Sequence, residues 1–118
     1  IQSDGKSKYG SQQSGGSSTV RGLWNPLRKA GAAAKEMLIE TAAKRWNTSV
    51  ANCYAQDGKI LLKNSDKSFT YGELVDEASK LPVPKNPKLK DPKDFKILGK
   101  YNKRLDVPDR VTGKAVYG

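Results

Sequence analysis

The sequence contains no histidine and a single cysteine, Cys53. Without histidine there is no Ser-His-Asp or Cys-His catalytic arrangement within the chain, and the commonest metal ligand is missing. One thiol can form neither an intrachain disulfide nor a zinc site. No apolar run is long enough to span a bilayer. A signal peptide is also missing, and the chain starts at Ile1 rather than Met, so it reads as an excised or processed piece of something longer. Apolar residues are scarce as well. They make up 36% of 118 residues, against 29% charged. That bounds the chain at one domain with a thin core and irregular flanks.

What is abundant is positive charge, +10 net, which raises a nucleic-acid hypothesis. The distribution argues against it. Between Lys80 and Lys114 the basic residues are scattered among prolines and form no helix face. Aromatics do not interleave with them as in a single-strand-binding platform. The stretch reads as a solvated, lysine-rich connector, with no nucleic acid among the expected partners. An independent basic nucleic-acid-binding module stays as one alternative, separable by the steep salt dependence it would show. A purely structural subunit-docking domain is another. The carboxylates Asp57, Glu73, Asp76 and Glu77 fall in a turn or on one short helix and need no catalytic role.

Residues 1–14 are rich in Gly, Ser, Gln and Lys and read as a flexible lead-in. The longest helical pattern comes next. Val20, Leu23/Trp24, Leu27, Gly31, Ala34, Leu38, Ala42 and Trp46 recur at steps of three and four, drawing one helix face. Asn25-Pro26 would make a good cap and first position, but the stripe back to Val20 favours an earlier start with a kink or short break near Pro26. Ala30 to Ala34 offers almost no side-chain bulk, so another element can approach closely.

After Asn47-Thr48-Ser49, Val50–Gln56 is a weak strand. Asp57-Gly58 is a hairpin turn, and Lys59–Lys63 is the returning strand. Ser68-Phe69 is a candidate third edge strand. Thr70-Tyr71-Gly72-Glu73 is a capping box opening a short helix that ends before Pro82. The expected fold is therefore α+β: a long helix, a β-hairpin and a short helix over residues 15–81, with an extended proline-rich C-terminal segment. A two-stranded hairpin gives two helices little to cover, so the core must add a third strand or borrow surface from elsewhere. Residues 82–103 form the proline- and lysine-rich connector, with Leu89 and Phe95 as candidate anchors. Ile97-Leu98-Gly99 and Val111–Gly118 read as strand beginnings.

The opening of the long helix carries the candidate site: Gly15, Gly16, Ser17, Ser18 and Thr19. Two glycines permit a tight turn where a helix begins. The first N–H groups of a helix lack internal partners and its dipole makes that end electropositive. Such an end can hold a phosphate or another oxygen-rich group. The same residues also suit plain N-caps after a Gly/Ser tail.

Several stretches in order carry a resemblance: Tyr9-Gly10, then residues 14–21, 26–38, 42–46, Asp57-Gly58, 71–74, 81–84, 89–95, 98–100, 104–106 and 111–118. From Tyr9 onward the chain resembles the large, molybdenum-cofactor-binding subunits of isoquinoline 1-oxidoreductase-like enzymes, in the xanthine dehydrogenase/aldehyde oxidase family of molybdenum hydroxylases. The resemblance implies oxidation of N-heterocycles or aldehydes with water as oxygen source, at a molybdenum held by molybdopterin, a pterin dithiolene cofactor, in a dinucleotide form. It places Gly16, Ser17 and Thr19 at cofactor-contacting positions, flanked by Gly15 and Ser18. It makes 15–81 part of a molybdopterin-binding domain and 104–118 the start of the next. The rest of the parent subunit and an iron–sulfur subunit or domain are the implied partners. The periplasm is the compartment it points to, although the sequence leaves localisation open. The family's upstream Gly-Gln-Gly loop and its C-terminal catalytic glutamate are not in this chain, which therefore supplies no catalytic residue.

The chain alone is accordingly expected to copurify without molybdenum and to oxidise no aldehyde or N-heterocycle. Elemental analysis checks this, and stoichiometric metal on the purified chain would refute it.

Overall fold

The structure is a computed structural model and describes residues 15–116. The expected flexible lead-in and the last two residues, Tyr117 and Gly118, lie outside the described residues. Helix α1 spans Ser18–Trp46, strands β1, β2 and β3 span Cys53–Gln56, Lys59–Leu62 and Ser68–Thr70, and helix α2 spans Tyr71–Ala78. A short helix, α3, spans Val107–Val111. The fold is α+β, as the sequence predicts.

Helix α1 begins early and runs unbroken through Pro26, so Asn25 is not its cap and no break occurs at the proline. Alanines and long straight side chains dominate the turns beyond Pro26, and these lose least on entering a helix. Asn47 ends it in the left-handed conformation, φ 50°. The Thr48 N–H then donates to the Ala43 carbonyl and the Asn47 N–H to that of Lys44. This is the Schellman pattern, which satisfies the last turn's carbonyls.

The sheet is antiparallel in the order β1-β2-β3, with Gln56 opposite Lys59 and Ile60 opposite Phe69. Asp57 and Gly58 both have positive φ, 48° and 79°, which is the type I′ geometry that matches strand twist. The third strand doubles the pairing of β2 and answers the shortage of sheet area evident in the sequence.

Alternation along β1 buries Cys53 and leaves Tyr54 exposed. The core joins Ala42 and Ala43 of α1, Cys53, Ile60 and Leu74, edged by Leu38, Ile39, Trp46, Leu62 and Phe69. Trp46 stacks on Phe69 at 4.8 Å and 17°. The Arg45 guanidinium lies 5.2 Å over the same ring and forks onto Glu77 at 2.6 and 3.1 Å, joining α1 to α2. The buried side of α1 is rotated slightly from the face drawn in the sequence. Ala33, Thr41, Ala42 and Ala43 are buried, whereas Gly31 and Ala34 are exposed. Thr41 is tolerated because its hydroxyl donates to the Met37 carbonyl at 2.9 Å.

The capping box is present in full. The Glu73 N–H donates to the Thr70 hydroxyl at 3.3 Å, and the Glu73 carboxylate accepts from the Thr70 N–H at 2.7 Å.

Beyond Leu81 the chain is extended, with one 3₁₀ turn at Pro92–Asp94. Among the described residues neither of the two expected strand beginnings forms. Residues 96–100 turn, with Gly99 at φ 76°, because a left-handed residue cannot continue a strand. Val111 ends α3, which Pro108 pre-organises near its start. Asp106 accepts from Arg104 at 2.8 Å and Arg110 at 2.6 Å, bracing that helix.

Thr70→Ala removes a cap and is expected to cost about 1 kcal/mol, read from urea unfolding. Glu73 is held below the usual carboxylate range, first by the Thr70 hydroxyl and then by the Thr70 N–H. Its contribution is therefore complete above about pH 4.3, the usual Glu value, and is lost as pH falls through the lowered value; Thr70→Ala should flatten that acid limb. Separately, burial pushes the Cys53 thiol up, so it should label slowly in native protein and rapidly in denaturant. Equal rates would contradict its burial.

Candidate functional site

Gly15, Gly16, Ser17, Ser18 and Thr19 lie together where the chain turns into α1, and all five are exposed. Gly16 and Ser17 are both left-handed, each with φ 55°. The Ser18 N–H donates back to the Gly15 carbonyl at 3.0 Å, and the Arg21 N–H donates to the Ser17 carbonyl at 3.2 Å. Ser17 stands in the cap position, yet its side chain makes no cap hydrogen bond. The left-handed backbone explains this: side-chain capping is made from an extended cap residue. The ordinary N-cap reading thus fails for Ser17.

No acidic residue occupies the first turn, so the positive end of the dipole is not neutralised from within the helix. A Cβ added at Gly15 or Gly16 meets nothing within 4 Å. Among the described residues neither glycine is needed for packing, and Gly16 needs its freedom for backbone reasons, with φ 55°.

The first half of α1 carries a second set of residues, whose assembly sequence reasoning passed over. Trp24 meets Phe95 edge-on at 6.4 Å. The Arg28 guanidinium sits 5.4 Å from one ring and 5.5 Å from the other, and donates to the Lys90 carbonyl at 2.8 Å. Glu36 accepts from the Lys88 N–H at 2.7 Å. The connector is thereby strapped across α1. Phe95 is the anchor the sequence singled out; the signal for Arg28 was its four-residue spacing from Trp24 on one helix face.

Strapping leaves two hollows. A cleft of about 640 Å³ between α1, the hairpin and the connector is lined by Arg28, Lys35, Lys88, Lys90 and Lys96 against Asp57 and Asp94. A shallower groove of about 480 Å³ starts at Thr19 and continues along Val20, Leu23, Trp24 and Leu27 to Leu98.

The arrangement offers hydroxyl and backbone donors at an unneutralised helix start, which suits an oxygen-rich anion. It offers no acid–base pair. The carboxylates that are displaced from their ordinary range are held down elsewhere, Glu73 by Thr70, Glu77 by Arg45, and Asp106 by Arg110 and Arg104. Among the described residues no group of His, Cys, Asp or Glu could hold a metal ion, and no helix is long and apolar enough to cross a membrane.

No family model matches the chain. It is 30% identical to the beta chain of isoquinoline 1-oxidoreductase from Brevundimonas diminuta, over 93% of this chain and 18% of that protein. It is 30% identical to one of the subunits of nicotinate dehydrogenase from Pseudomonas putida, over 78% of this chain and 8% of that protein. A membrane-bound aldehyde dehydrogenase of Gluconacetobacter polyoxogenes, named for pyrroloquinoline quinone, is 28% identical over 94% of this chain and 15% of its own length. The chain thus spans less than a fifth of the curated relatives it matches. At family level, and at low identity, the chain is homologous to a stretch of these oxidoreductases.

Proposed function

We propose that this chain is part of the molybdenum-cofactor-binding subunit of a molybdenum hydroxylase that oxidises N-heterocycles or aldehydes with water as oxygen source. In this reading residues 15–81 come from the molybdopterin-binding domain, 82–103 connect, and 104–118 begin the next domain. The observation that carries it is homology along nearly the whole chain to an isoquinoline oxidoreductase subunit, with a nicotinate dehydrogenase subunit agreeing on an N-heterocyclic substrate. An iron–sulfur subunit or domain is the expected electron-transfer partner, and the periplasm the expected compartment.

The donor set at the start of α1 fits the cofactor. It is exposed, carries no acidic residue in its first turn, and leaves the Ser17 hydroxyl uncommitted to a cap. Molybdopterin, when bound, supplies the redox metal and the site of oxygen transfer. The chain's own task is to bind and orient it. Gly15 and Gly16 give close backbone approach, Ser17 and Thr19 present hydroxyls, and Ser18 lies between them at the first turn. Arg21, one turn along, adds positive charge.

The test is molybdenum and pterin content per folded parent subunit. Ser17→Ala removes no cap bond here, so the melting temperature of the cofactor-free subunit should be unchanged. A hydrogen bond to a charged acceptor is worth roughly 1.5–3 kcal/mol, so cofactor affinity should fall about tenfold or more. Gly15→Ala is a cleaner probe of close approach than Gly16→Val. A Cβ at Gly15 meets open space among the described residues, whereas any residue at Gly16 must adopt φ 55° and brings its own strain. Full molybdenum content in both variants would return the stretch to an ordinary helix start. Quinone in place of pterin would assign the chain to the chemistry for which its aldehyde dehydrogenase relative is named.

A further inference from the structure

The two halves of α1 differ. From Leu38 onward its apolar side chains close on the sheet and α2. In the first half, Val20, Leu23, Trp24 and Leu27 follow the i, i+3, i+4, i+7 rule of a buried face, yet they are 71%, 46%, 42% and 64% exposed. Leu98 of the connector, 47% exposed, extends the same patch. The groove they form is continuous, starts at Thr19 and has Arg28 as its charged neighbour.

We infer that this face is an internal docking surface, covered by another segment of the same longer polypeptide that is apolar where it meets Val20, Leu23, Trp24, Leu27 and Leu98 and acidic at its margin. The inference rests on the reading of the chain as part of a larger subunit. Three observations select that occupant. The relatives carry more than four-fifths of their length outside the matched stretch. The patch has five apolar residues, whereas a free-standing interface of about 800 Å² per partner recruits roughly 20–30 residues a side. A patch of that size is small for a second copy or a separate protein, and both are outcomes of the test below. A tethered segment acts at an effective concentration of order millimolar, so a small patch suffices for it. The chain's net charge of +10, with Arg28 bordering the groove, sets the complementary acidic margin. Because Thr19 lies at the mouth of the groove, the covering segment would also shield the start of α1 from water.

The experiment compares thiol labelling of Leu27→Cys and of Lys29→Cys, an exposed control, in the 118-residue chain and in the full-length parent subunit. Buried Cys53 serves as the slow internal reference. The Leu27→Cys thiol is expected to react as fast as the control in the chain alone and at least tenfold slower in the parent. Equal rates in the parent overturn the inference. So does protection in the isolated chain that grows with its concentration, which would mean a second copy, or protection that appears only when a separate subunit is added. Molybdenum is measured on the same samples. A protected Leu27→Cys thiol without molybdenum upholds the docking surface and sinks the cofactor reading; an exposed one with molybdenum does the reverse.

Discussion

The closure of α1 on β2 and α2 is the contact on which the described structure depends. Ile60 and Leu74 are the only large side chains that are fully buried among the described residues, and each contributes about 1.5–3 kcal/mol by leaving water. They reach that state because α1 presents Ala42 and Ala43 to them. Larger residues there would hold the helix off the sheet. Around this junction α1, β3 and α2 are further joined by single rings and charges, the Trp46–Phe69 stack and the Arg45–Glu77 fork. The radius of gyration, 19.0 Å, exceeds the roughly 13 Å of a compact 100-residue domain. A small core with long extensions produces that difference.

The same small core explains the division of labour along the chain. The part that folds upon itself contains no displaced acid poised for catalysis, no metal cluster and no exposed thiol among the described residues. Its candidate chemistry sits at the helix start, where under the proposed function backbone groups and hydroxyls rather than titrating side chains would do the binding. A site of that kind recognises an anion and positions it. Under the proposed function, bond-breaking would fall to the bound group and to parts of the subunit outside this chain.

Much of the fold was legible in the sequence, for identifiable reasons. Asp57-Gly58 and Thr70 to Glu73 are local signals: positive φ in one case and a reciprocal hydrogen-bond pair in the other require no tertiary knowledge. The third strand at Ser68–Thr70 was readable only as a candidate, because three residues carry little periodicity. Val111 and Ile97 misled because β-branched residues beside glycines suggest strands, while Pro108 and the Asp106 braces decide for a helix and Gly99 for a turn. At the candidate site the cluster of small residues was evident, but the left-handed Ser17 was not. Its loss of a capping role depends on a backbone angle that no residue preference announces. The Trp24–Arg28–Phe95 assembly was hidden for another reason: it joins residues about seventy positions apart.

Both hydrogen bonds of the strap across α1 are made to the connector's backbone. Arg28 donates to the carbonyl of Lys90, and Glu36 accepts from the N–H of Lys88. Neither bond uses a connector side chain, so Lys88 and Lys90 could drift to almost any residue except proline at Lys88 without undoing it. Apart from Phe95, whose ring meets Trp24 and Arg28, the information that fixes this crossing is stored on the helix. A linker held in that way can diverge quickly among relatives while its path stays constant, and its lysines remain available for tuning surface charge.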